Sequence, residues 1–161
     1  MSTRIVILAE DTLGTADVEH IASLHPSDAE YHVLVPADTE RNLLVSLIDH
    51  LSLGELRAAL DDVLGREPEP LRAVATATES LAGSLAVLRA AGLQADGEVV
   101  DDDPLPALRT AVGTATDQTE VVVVTLPHAL EDTFRRDWAS RAREELRVPV
   151  LHLYLGTNRL G

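Results

Sequence analysis

Apolar residues along this chain follow two rhythms. Short unbroken runs alternate with longer stretches in which apolar positions return every three or four residues, the periods of buried strands and of helices lying on a surface. The strongest run is Val121-Val122-Val123-Val124, within Glu120–Pro127. Four valines bounded by a turn and a proline predict a strand buried on both faces, as in the interior of a parallel sheet covered by helices. Arg4–Ala9 predicts the first strand, and Tyr31–Val35 the second, stopped by Pro36. Leu93–Val100 predicts a weaker third strand, interrupted by Gly97, and Pro149–Leu155 the last.

Helical periodicity fills the gaps. Val18, Ile21 and Ala22 share one face of a short helix, with Thr12 or Thr15 as its expected N-cap and Pro26 closing it. The long connection from Ala37 to Gly92 predicts three helical pieces. Leu43, Leu44, Leu47, Ile48 and Leu51 mark the first; Leu53, Leu56, Leu60, Val63 and Leu64 mark the second, which starts at the capping-box spacing Ser52-Leu53-Gly54-Glu55. After the linker Gly65–Pro70, the stripe Leu71, Val74, Thr78, Leu81, Leu85 and Leu88 predicts a helix laid on a sheet, with Gly92 placed for a left-handed C-terminal cap. Asp103-Pro104 gives an N-cap followed by proline at the first helical position and opens a helix over Pro104–Ala115. Leu130, Phe134, Trp138, Ala142 and Leu146 recur by four and predict a helix of about Glu131–Leu146, with the two aromatics filling the core beneath it. The order is β-α-β-(ααα)-β-α-β-α-β. Strands separated by helices imply right-handed crossovers and an α/β fold: an open, Rossmann-like, three-layer parallel sheet with helices on both faces.

Composition removes whole classes of chemistry. The 161 residues, 45% of them apolar, are enough for one core without disulfides, and a single domain over residues 1–161 is expected. Cysteine and lysine are absent; all 13 basic residues are arginine. Thiol nucleophiles, disulfides, cysteine-bound zinc and iron–sulfur clusters are excluded, as are a P-loop lysine and a Schiff-base lysine. A formal charge of −14 argues against non-specific binding to nucleic acid or anionic membranes. No run approaches the roughly 18 apolar residues of a membrane span. Met1-Ser2-Thr3-Arg4 carries no signal-peptide pattern, so cytoplasmic residence is expected.

Four short stretches go further: Ile5–Asp11, Val99-Val100-Asp101-Asp102-Asp103-Pro104, Val121–Thr125 and Val148-Pro149-Val150-Leu151. They resemble the first strand and its acidic exit, the third-strand exit, the fourth strand and the last strand of the universal stress protein family. The resemblance covers most of the chain outside about Thr39–Arg66. It implies five parallel strands in the order 3-2-1-4-5 and a homodimer paired through the last strand, here Val148–Leu155. ATP-binding members carry Gly-x2-Gly-x9-Gly-Ser/Thr after the fourth strand, where glycines let backbone amides approach the phosphates. The matching segment here, Thr125–Trp138, contains no glycine. Pro127 removes an amide donor, and Glu131 with Asp132 would repel a triphosphate, each such contact costing about 1 kcal/mol or more where water is partly excluded. The resemblance therefore implies a family member without the ATP site and with no cofactor; ATP bound through a divergent loop is the disfavoured alternative.

Parallel α/β sheets bind ligands beyond the carboxyl ends of their strands, at the point where the winding reverses. The crevice between the first and fourth strands is expected to be lined by Glu10, Asp11, Val35, Thr125, Leu126 and His128, with Asp103 near. A polar ligand or Mg²⁺ on Glu10 or Asp11 competes with a plainer role, in which Asp11 and Thr12 satisfy the next helix terminus. Asp101-Asp102-Asp103 reads better as a solvated loop than as a metal site, because adjacent residues seldom converge on one ion and Asp103 is engaged as a cap. A catalytic His128 lacks a nucleophile motif: Thr133 and Ser140 are its nearest hydroxyls in sequence. Arg135 and Arg136 stand four residues after Glu131 and Asp132, the spacing of helical ion pairs rather than of an anion site. The expectation is a non-enzymatic interaction or small-ligand-sensing module. A nucleotide-binding protein is the alternative, and an enzyme using Asp11 and His128 is the weakest reading.

Overall fold

The computed structural model describes residues 3–37, 70–101, 103–113, 118–125 and 133–156. Strands and helices alternate among them: β1 (Arg4–Ala9), α1 (Thr15–Ser23), β2 (Glu30–Pro36), α2 (Pro70–Ala90), β3 (Gln94–Val100), α3 (Leu105–Gly113), β4 (Thr119–Thr125), α4 (Thr133–Glu145) and β5 (Val150–Tyr154). All five strands are parallel and lie in the order β3-β2-β1-β4-β5, as expected. The two amphipathic pieces expected over Leu43–Leu64 lie outside the described residues.

Strand alternation divides the core in two. Ile5, Ile7, Ala9, Val33, Val35, Val122 and Val124 face Val18 and Ile21 of α1 and Ala77 and Leu88 of α2. Val6, Leu8, Leu34, Val121 and Val123 face Leu105 and Leu108 of α3 and Trp138 and Ala142 of α4. Right-handed crossovers require this division: winding outward from β1 uses one face, and winding back through β4 to β5 uses the other. The four valines of β4 are at most 1% exposed, which explains why their run shows no alternation.

Three expectations shift on contact with the tertiary structure. The N-cap of α1 is Gly14 rather than Thr12 or Thr15, and the Asp17 carboxylate accepts its amide at 2.8 Å. Helix α2 does not turn the whole leucine stripe inward: Val74 is 45% exposed, while Ala77, Ser80 and Ser84 are buried. Small residues are needed there because α2 lies against the turn after β1. Ser84 Oγ accepts the Leu13 amide at 2.9 Å, and a Cβ on Gly83 would meet the Thr12 methyl at 2.8 Å. Gly97, which weakens β3 by propensity, is required by space. Its missing Cβ would lie 2.4 Å from the Val33 carbonyl oxygen and 2.7 Å from Leu81 Cδ1. Gly92 does take the expected left-handed conformation, φ 80°, at the end of α2.

Both sheet edges are met by an arginine from the preceding helix. Arg89 of α2 donates from Nε (3.1 Å) and Nη2 (2.9 Å) to the Ala95 carbonyl of β3, and Arg143 of α4 donates from Nε to Val150 of β5 at 3.4 Å. At the amino end of the sheet, His25 ties α1 to β4, its Nδ1 facing the Ile21 carbonyl at 2.7 Å and its Nε2 the Glu120 carboxylate at 3.1 Å. Gly97→Ala is expected to destabilise the fold by about 1–3 kcal/mol or more, because backbone must move to admit the methyl group. Chemical denaturation checks this; unchanged stability would show that α2 and β2 can give way at no cost.

Candidate ligand-binding crevice at the carboxyl ends of the strands

The amide of Glu10 donates to the Val124 carbonyl at 2.9 Å, so the ladder runs one residue past β1. Continued alternation puts Glu10 on the side of Val6 and Leu8, facing α3 and α4, and puts Thr125 on the same side as Val121 and Val123. His152 is in register with Val123 and joins them. Thr125 Oγ1 and His152 Nε2 are 2.8 Å apart, and the tilted ring of Tyr154 lies 4.8 Å from the imidazole, centroid to centroid. Glu10, Thr125 and His152 are 6%, 4% and 6% exposed. Three polar side chains so deeply covered, on three neighbouring strands, sit beside the apolar cluster under α3 and α4, and buried polar groups of this kind persist only with partners.

Burial dominates the electrostatics of His152 and lowers its pKa from the ordinary 6.5; the Arg143 charge lowers it further and the Glu10 carboxylate opposes both. The ring is therefore held neutral at neutral pH, with one nitrogen donating and the other accepting. The Thr125 hydroxyl and this ring share one hydrogen bond, and the Glu10 carboxylate lies near enough to act on the ring's charge.

The other expected residues disperse. Asp11 turns toward α2, where its Oδ1 accepts the Thr12 amide at 2.7 Å and the Ser80 hydroxyl at 3.4 Å. The two adjacent carboxylates thus serve opposite faces of the sheet. No group of three His, Cys, Asp or Glu side chains among the described residues is placed to hold a metal ion. Val35 is 1% exposed and belongs to the core beneath α1 and α2. Asp103 is exposed; its Oδ1 accepts the Leu105 amide at 3.3 Å as the cap of α3, and its Oδ2 lies 3.7 Å from Arg141. Leu126 and His128 lie outside the described residues, and Ser140 is exposed on α4.

Two contributors escaped sequence reading. His152 is a lone polar residue in the apolar run Val150-Leu151-His152-Leu153, and that interruption was the available signal. Asp17 stands in the first turn of α1; its Oδ2 accepts the Gly14 amide at 2.8 Å and its Oδ1 the Gly156 amide at 2.7 Å. One carboxylate thereby joins the amino terminus of α1 to the turn after β5, taking up one amide from each and placing a negative charge at the helix start.

No protein-family model matches the chain, and no curated protein matches it. No helix among the described residues is long and apolar enough to cross a membrane.

The lowered pKa of His152 sets the sign of a pH effect. As pH falls through 6.5 the unfolded chain takes up a proton at this position before the folded chain does. The contribution of neutral, buried His152 is therefore complete above 6.5 and is lost as pH falls from there toward the folded-state pKa. Denaturation midpoints measured on both sides of that value should show a loss on acidification that is smaller in His152→Gln. Equal pH slopes in the two proteins would contradict the burial of this ring.

Proposed function

We propose that this chain is a universal-stress-like domain that works without ATP, as a homodimeric module sensing a small uncharged ligand in the crevice beside Glu10, Thr125 and His152. The carrying observation is the buried Thr125–His152 pair next to Glu10: hydrogen-bonding groups suited to a polar ligand, together with a carboxylate unsuited to a phosphate. Supporting it, Asp17 already engages the amides of Gly14 and Gly156 with a carboxylate of the chain itself, and the segment after β4 contains no glycine. The sheet order agrees with the family the sequence resembles.

The dimer reading rests on β5. Pro149 O and the Leu155 amide are engaged with β4, at 2.9 and 2.8 Å. Alternation therefore turns the peptide groups of Val150, His152 and Tyr154 outward, along an apolar edge of the kind that proteins normally pair or cover.

Two measurements test these readings. In a thermal-shift series with ATP, ADP and AMP, each with Mg²⁺, no rise in melting temperature is expected at millimolar nucleotide; a concentration-dependent rise would establish the nucleotide-binding alternative. Sedimentation at micromolar concentration should give a dimer, and a strictly monomeric profile would reject pairing through Val148–Leu155.

A further inference from the structure

The opposite end of the sheet holds a second feature, which does not depend on the reading above. On the face carrying α3 and α4, the described helices cover only part of the sheet: α3 packs on β1, and α4 on β4 and β5. Over the amino ends of β1, β2 and β3 this leaves a cavity of about 260 Å³. Besides Tyr31 and Ala95, its lining is drawn from two rows of register partners. Arg4, Glu30 and Gln94 make one row, and Val6, His32 and Asp96 the next. Alternation puts all six side chains on the same face, and five of these residues, all but Val6, line the cavity.

The charges here are arranged unusually. Arg4 and Glu30 are neighbours in register with opposite charge, yet among the described residues neither side chain makes an ion pair or a hydrogen bond. Beside them His32 is oriented by Asp96, whose Oδ1 lies 2.8 Å from Nδ1, while the nearest carboxylate to Nε2, that of Glu98, is 3.7 Å away and beyond hydrogen-bonding distance. A guanidinium, a carboxylate and an oriented imidazole nitrogen therefore converge on one small space with bonding capacity left over.

We propose that this cavity binds a small zwitterion of the free amino-acid class, its carboxylate on Arg4 and its ammonium on Glu30, with His32 and Gln94 supplying hydrogen bonds. An α-amino acid carries its two charges side by side, as the first row does, and charge-assisted bonds of this kind are the strong ones. Glu30 and Asp96 together outnumber Arg4, so a neutral or basic ligand side chain is favoured over an acidic one.

The test is an amide-shift titration of the full chain by NMR with L-arginine, L-glutamate, and the half-ligands acetate and methylammonium. Saturable shifts confined to the amino ends of β1–β3 are expected with L-arginine, weaker ones with L-glutamate, and no saturation with either half-ligand at the same concentration. Arg4→Gln should weaken L-arginine binding about tenfold or more, and Glu30→Gln, at an exposed position that leaves the core intact, should do likewise. Three outcomes overturn the proposal: no saturable shift with L-arginine at millimolar concentration, acetate saturating as well as the amino acid, or undiminished binding in Glu30→Gln. Because the shifts are read by position, failure here is separable from failure at Thr125 and His152.

Discussion

The parallel ladder between β1 and β4 is the constraint on which the rest of this domain depends. Six consecutive register pairs, Arg4 with Thr119 through Ala9 with Val124, join two strands covered on both sides. Ile5, Val6, Ile7 and Leu8 are 0% exposed, as are Val121, Val122 and Val123. Each such side chain contributes about 1.5–3 kcal/mol relative to exposure, so this pair of strands concentrates the apolar burial of the chain. Because both faces are apolar, helices must cover both. The direction of winding must then reverse where β1 meets β4, which is the place where a ligand crevice is expected in such a sheet. Position of the candidate site and stability of the fold thus share one cause.

Polar groups in the turns after β1 and β5 are tied down by side chains drawn from distant parts of the chain. The turn after β1 is held from α2, with Ser84 Oγ on the Leu13 amide and Ser80 on Asp11. The turn after β5 is held from α1, by Asp17 on Gly156. Buried backbone donors left without partners would cost on the order of 1–3 kcal/mol each. The close approach that satisfies them explains why α2 places Ala77, Ser80, Gly83 and Ser84 along the region nearest the turn, where larger residues would hold the helix away.

The two poles of the sheet differ in chemistry for the same geometric reason. At the carboxyl end, α3 and α4 cover the exits of β1, β4 and β5, so the polar residues there are buried and the imidazole is held neutral. Toward the amino ends of β2 and β3 none of the described helices covers that face, and Glu30, His32, Gln94, Asp96 and Glu98 there are polar. The arginines that meet Ala95 and Val150 occupy outward carbonyls at the two edges, a device that limits indiscriminate strand addition.

Hydropathy periods alone determined the strands, the described helices to within a few residues of their observed ends, and the parallel α/β class, because burial on one face or two writes directly into local sequence. The cap at Asp103 and the left-handed Gly92 were equally legible, since both depend on neighbours within a few residues. The strand order was expected from resemblance, and the register is a property of the assembled sheet. Long-range partnerships were beyond local reading. Nothing near His152 indicates that Thr125, 27 positions earlier, will accompany it, and nothing near Asp17 reveals Gly156, 139 positions later. The same holds for the separation of Glu10 from Asp11 onto opposite faces and for the space denied to a Cβ at Gly97. Side-chain identity sets which bonds a residue is able to make; the folded sheet sets which of them are within reach.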